Sequence, residues 1–270
     1  MSNESNEIVI LNQLPLWYIK NIHIKEGYRK PNTNIIFTET LFTLHNELFN
    51  IWINLISIIG FLVLSVLLYF DTLNKLNKMM LGLYLLVLIF HQLARLNYYI
   101  YSPNNEITYY NLIKLYYTSN ITFCFISLAL VIYCLFYQYI GIKYSYILLL
   151  FLLLTLVFNL FDDNRIYDLH KRAYRSTIFT LYISLIFIPL LHYGFIASFT
   201  DFHYIFILII IITIIILYSI GLIVYKNCFP EQFYTIKLIG SSDNICNIMF
   251  HCGCMILYLS MRYIMYCIEK

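Results

Sequence analysis

Seven stretches of this chain stay apolar for about the 20 residues that a helix needs to cross a bilayer. They run from Phe49 to Phe70, Met79 to Tyr101, Leu115 to Gln138, Tyr144 to Phe161, Ser176 to Phe199, Tyr204 to Tyr225 and Gly240 to Tyr266. Charges and helix breakers gather between them, at Asp71 to Lys78, Ser102 to Lys114, Ile140 to Lys143, Asp162 to Arg175, Thr200 to His203 and Lys226 to Ile239. Only 11% of residues are charged and 61% are hydrophobic, against about 25% charged in soluble domains. The expectation is an all-α bundle of seven transmembrane helices, a multi-pass protein whose first partner is the lipid bilayer. Residues 49–266 form the membrane domain, 1–48 an N-terminal segment and 267–270 a short tail.

Basic residues set the orientation. With the N-terminus cytosolic, that side carries Lys20, Lys25, Arg29, Lys30, Arg95, Lys114, Arg165, Lys171, Arg172, Arg175, Lys226 and Lys237, leaving only Lys75, Lys78, Lys143, Arg262 and Lys270 opposite. The N-terminus is therefore expected in the cytosol and the C-terminus outside or in a lumen. Met1 to Gln13 is polar and lacks the order of a cleavable signal, so the first span is expected to target the chain. The sequons at Asn3 and Asn120 are then unused, one facing the cytosol and one within a span. The seven cysteines form no Cys-x-x-Cys pair and sit mostly in apolar runs, which predicts buried thiols and no disulfide framework. Leu16, Trp17, Ile19 and Ile22 have the spacing of a short amphipathic helix on the membrane surface.

The entry to the first span reads His45-Asn46-Glu47, two residues, then Asn50-Ile51-Trp52, with Trp52 placed as an interfacial aromatic. Upstream stand Leu14-Pro15-x-Trp17 and Gly27-Tyr28-Arg29-x-Pro31. Downstream come Asp163, Arg165 and Arg172, then Pro189-x-x-His192, Leu217 to Gly221, and Phe229-Pro230-x-x-Phe233. Together these blocks resemble the progestin and adipoQ receptor (PAQR) and haemolysin III family over most of the chain, Leu14 to His251, with His45, Glu47, Asn50 and Trp52 carrying the first motif.

That resemblance implies a zinc ion held by one His of the second helix and two of the seventh, completed by a Ser and an Asp. Zinc with three protein ligands activates a water for hydrolysis. Only His91 matches here. The Ser position is Val87, the Asp position is Tyr116, and the two seventh-helix His positions are Asp243 and Asn247. Two readings stay open: a zinc site rebuilt from His91, Asp243 and His251 with Asn247 beside them, or hydrogen bonds between helices. Arg95 is expected to snorkel or to pair with Asp243, Asn120, one turn after Tyr116, to stand in for the missing carboxylate, and His192 with Pro189 to mark a kink. Three functions follow: a receptor or sensor of a lipid or protein ligand, a zinc-dependent lipid amide hydrolase of ceramidase type, or a pore. Loss of the Ser, Asp and His positions argues against the enzyme and favours the receptor. Nothing resembles a nucleic-acid or nucleotide site.

Overall fold

The structure is a computed structural model and describes residues 7–33, 36–161, 172–197, 202–234 and 240–270. The Asn3 sequon, Asp163, Arg165, Lys171 and Lys237 lie outside them, as do parts of the fifth span and its flanking loops. Among the described residues six helices are long and apolar enough to cross a membrane: α2 (Leu48–Tyr69), α3 (Lys75–Tyr101), α4 (Glu106–Leu135), α5 (Ile140–Leu160), α8 (Phe202–Lys226) and α9 (Ser242–Glu269). This is the architecture of a multi-pass helical membrane protein.

The fifth expected span is two shorter helices, α6 (Arg172–Ser184) and α7 (Phe187–Ala197). Pro189 explains the break. It has no N–H for the Leu185 carbonyl and its ring crowds that carbonyl. Ahead of it the chain tightens, Leu185 N–H donating to Tyr182 O and Ile186 N–H to Ile183 O. Pro189 then sits in the first turn of α7, where no helical partner is lost.

The starts of α3, α4 and α9 are capped by side chains. Asn74 accepts from Asn77 N–H (2.9 Å), Asn105 from Thr108 N–H (2.7 Å) and Ser241 from Asn244 N–H (3.3 Å). The Asn105 cap starts α4 well before Leu115, so much of the expected 102–114 loop is helix. At its far end α9 continues to Glu269, leaving only Lys270 of the expected tail. The Glu269 carboxylate accepts from Asn74 N–H and from Asn77 Nδ2 (2.5 Å), a negative charge placed at the positive end of α3.

The most extensive packing joins α8 to α9, α3 to α4 and α2 to α3. Helix α4 is central, touching α3, α5, α6, α7 and α9; 67% of its most apolar stretch is buried, against 17% for α5.

The N-terminal segment closes one end of the bundle. A two-residue antiparallel ladder, β1 (Ile8–Val9) with β2 (Tyr28–Arg29), frames 3₁₀ turns at Leu11–Gln13 and Leu16–Tyr18. A short α1 (Phe37–Thr40) follows. The expected surface helix is thus a 3₁₀ turn: Trp17 packs on Tyr109 (5.6 Å) and Tyr18 is buried, while Leu16 stays 88% exposed. Arg29 anchors the segment. Its buried guanidinium donates to Ile100 O (2.7 Å) and to Tyr99 O, two carbonyls that the last turn of α3 leaves without helical partners. A cation also suits the negative end of that helix.

Candidate functional site

The first motif is a polar junction between this segment, α2 and α9. Asn50 is 1% exposed. Its Nδ2 donates to Glu47 Oε2 (2.9 Å) and Asp243 Oδ2 (3.1 Å). Its Oδ1 accepts from Asn244 Nδ2 (2.8 Å) and Asn247 Nδ2 (3.0 Å). An amide offers two donors and two acceptor positions, so Asn50 is fully used. Glu47 also pairs with Lys20 Nζ at 2.8 Å. Burial would lift the Glu47 carboxyl, but Lys20 and Asn50 outweigh it and hold it below the usual range. Burial would likewise lower Lys20, yet Glu47 holds its ammonium above its ordinary value. Both directions favour the charged pair.

His45 is locked as a neutral ring. Nε2 donates to Thr40 O (3.1 Å), so Nδ1 is the acceptor for Glu47 N–H (3.2 Å). Burial, then the nearby Arg29 charge, pushes its pKa down to about 3. Trp52 donates Nε1–H to Leu41 O (3.1 Å) while its ring lies partly exposed beside Phe42.

The in-membrane polar residues fall around a cavity of about 150 Å³ between α3, α4, α6, α8 and α9. One end is lined by Arg95, Arg175, Asp243, Tyr116, Tyr117 and Tyr225. The other end is apolar, with Leu128, Val131, Ile183, Ile211, Ile214 and Leu257. Along α4 the lining runs Tyr116, Asn120, Phe123, Cys124, Ser127, Leu128 and Val131, one helical face that spans roughly 22 Å at 1.5 Å per residue. The cavity is therefore long and polarised.

Arg95 does not snorkel out. Its guanidinium lies 5.4 Å from the ring centres of both Tyr116 and Phe250, a cation–π cage. Nη2 donates to Tyr99 OH (3.4 Å), which donates on to Asp243 Oδ2 (3.0 Å). Tyr99 thus relays Arg95 to the carboxylate expected as its partner. Arg175 Nε donates to Tyr117 OH (3.0 Å).

His91 stacks between Tyr116 and Phe123, with Phe250 edge-on. Ser119 spends its proton on Tyr116 O (2.7 Å), so its oxygen accepts from His91 Nδ1–H (3.0 Å) and Nε2 keeps the lone pair. His251 donates Nδ1–H to Asn247 O (2.6 Å), and its Nε2 lies 3.0 Å from the Gln92 side-chain amide. Asn120 lines the cavity. His192 stands apart from this cavity, on Tyr146 OH (2.8 Å).

A zinc site needs three or four donors at about 2.0–2.3 Å from one point. Both ring nitrogens of His251 are engaged, Asp243 Oδ2 accepts from Asn50 and Tyr99, and Asn247 donates Nδ2–H to Asn50, leaving only its neutral amide oxygen, a poor zinc ligand. The Arg95 guanidinium lines the same cavity as His91 and Asp243 and would repel a second cation. Among the described residues no three His, Cys, Asp or Glu side chains converge on a metal position. As placed, His91, Asp243, Asn247 and His251 each take part in hydrogen bonds between helices.

A second, smaller cavity of about 70 Å³ lies between the N-terminal segment and the bundle end. Tyr116, Tyr117, Arg175, Tyr225 and Asp243 line both cavities, so these side chains form the partition between them. Asn50, Gln92, Tyr99, Ser119 and Arg175 carry interactions that sequence reading assigned to none of them; each is a partner chosen by helix rotation, which apolar spacing does not specify. Comparison with protein-family models and with curated proteins finds no match.

Proposed function

We propose that this chain is a receptor-like membrane protein of PAQR and haemolysin III type, N-terminus in the cytosol, that senses a single-chain amphipath with an acidic headgroup. The observation that carries this reading is the polarity of the long cavity. Two guanidinium groups, Arg95 and Arg175, and a set of tyrosine hydroxyls line one end, and isoleucine and leucine side chains line the other. Buried cations seek a charged or strongly accepting partner, and an apolar slot seeks an alkyl chain. The fifth span of the family pattern is then supplied by α6 and α7 together.

A sensor requires binding without turnover, which suits an expected metal set whose members hydrogen-bond between helices. The hydrolase reading would need a metal-activated water, and the pore reading would need polar side chains recurring along several helices. Here they cluster toward one end. The test is equilibrium binding to detergent-purified protein of a fluorescent long-chain alkyl carboxylate, against an alkyl trimethylammonium of the same chain length. Saturable binding of the carboxylate alone supports the reading. Equal binding of both, or ion flux through reconstituted protein, would defeat it.

A further inference from the structure

The smaller cavity holds a carboxylate that the fold serves on one side only. Glu231 is 4% exposed. Its Oε1 accepts three hydrogen bonds, from Asn21 Nδ2 (3.1 Å), Ser242 N–H (2.7 Å) and Ser242 Oγ–H (2.8 Å). Its Oε2 is buried in the lining of this cavity with no partner among the described residues. Asn46, 9% exposed, lines the same cavity and likewise leaves Oδ1 buried and without a partner among the described residues. Both orphaned atoms are acceptors, so what completes them is a donor or a cation.

Charge decides between these. All the groups on Oε1 are neutral donors, and Ser242 N–H belongs to the first turn of α9, where the helix favours negative charge. Glu231 has no ion-pair partner among the described residues. The lining carries three carboxylates, Glu47, Asp243 and Glu231, against two cationic side chains, Lys20 and Arg175; Lys20 is bonded to Glu47. A buried carboxylate without a countercharge is costly. The cavity has room for an ion with one or two waters. One carboxylate with neutral oxygens is too little charge for a divalent site, where Asp and Glu ligands usually gather.

We infer that the vestibule binds a monovalent alkali-metal cation on Glu231 Oε2 and Asn46 Oδ1, its remaining positions filled by water. The site is separate from whatever occupies the long cavity. Through Asn21 and Ser242 it fastens the N-terminal segment to the start of α9, so ion occupancy sets how firmly that segment closes the bundle.

The test is thermal unfolding of the full chain in detergent, titrated with NaCl, KCl or choline chloride at constant ionic strength. Sodium or potassium should raise the midpoint saturably where choline does not. Asn46→Ala should raise the half-saturating concentration by about tenfold, the worth of 1.4 kcal/mol, and Glu231→Gln should abolish the response. Asp71→Asn, at the opposite end of the bundle, should keep it. Identical curves in all three salts, or an unchanged cation response in Asn46→Ala or Glu231→Gln, would overturn the inference. The parent titration and Asn46→Ala decide the matter even where Glu231→Gln does not fold.

Discussion

Asn50 shows how one amide holds helices far apart in sequence. Its four hydrogen bonds join α2 to the start of α9 and to Glu47. Individual interhelical hydrogen bonds in membranes contribute about 0.6 kcal/mol, but truncation here strands several buried partners at once. Asn50→Ala is expected to cost about 2 kcal/mol. Asn50→Asp should cost more, because it removes both donors and sets a third carboxylate beside Glu47 and Asp243. Thermal midpoints of the two variants in detergent check this order. His45 carries a pH dependence of definite sign. Its pKa falls from the ordinary value near 6.5 to about 3 on folding, so between those values the unfolded chain binds the extra proton. Stability is complete above pH 6.5 and is lost as pH falls toward 3, with no further change from this group below that. At pH 5 the loss is about 2 kcal/mol, at 1.36 kcal/mol per pH unit. His45→Gln should flatten the midpoint-versus-pH curve between pH 7 and pH 5; an unchanged slope would show that the proton goes elsewhere. Asn50 and His45 were both visible in the sequence as members of one motif, though not what either bonds to.

Helix positions were legible wherever an apolar run was uninterrupted, as in α2 and α8. Boundaries were less so. Helix α4 begins at Glu106 because Asn105 caps it, and a cap followed by a polar first turn looks like loop to a hydropathy reading. Pro189 was read as a kink, and the chain does break just before it. Trp17 and Ile19 looked like one face of a surface helix, but the bundle end offers Tyr109 to the Trp17 ring and Tyr98 to Lys20, so the segment packs inward. The pairing of α8 with α9 depends on missing side chains. A Cβ on Gly253 would lie 2.3 Å from Tyr218 Cε1 and 2.8 Å from its Cζ, and Gly221 faces Cys246 and Met249 as closely as 3.3 Å. Small residues of this kind let membrane helices approach. Tyr218 also lines the long cavity, so its ring has space to retreat only by filling that space. Gly253→Ala should therefore lower stability by about 1–3 kcal/mol and weaken binding of the alkyl carboxylate together. Lost stability with unchanged binding would mean that Tyr218 moves some other way.

Taken as one object, the protein sets Arg95, Arg175 and Asp243 at the end of the long cavity nearer the N-terminal segment and lines the other end with aliphatic side chains. Polar residues in the spans were legible as candidates because burial in lipid makes them costly. Their arrangement was not, since His91 finds Ser119 and His251 finds Gln92 only once α3, α4 and α9 are rotated against one another. The central claim is that Arg95, caged by Tyr116 and Phe250 and relayed to Asp243, reads the acidic head of a single-chain amphipath. It is tested most directly by the affinity of the long-chain alkyl carboxylate for the parent, Arg95→Gln and Leu128→Trp. Loss of a charge-assisted contact should weaken binding about tenfold or more in Arg95→Gln. Leu128→Trp, which fills the apolar end, should shorten the longest chain that binds. Affinity and chain-length preference that are the same in all three proteins would contradict the claim.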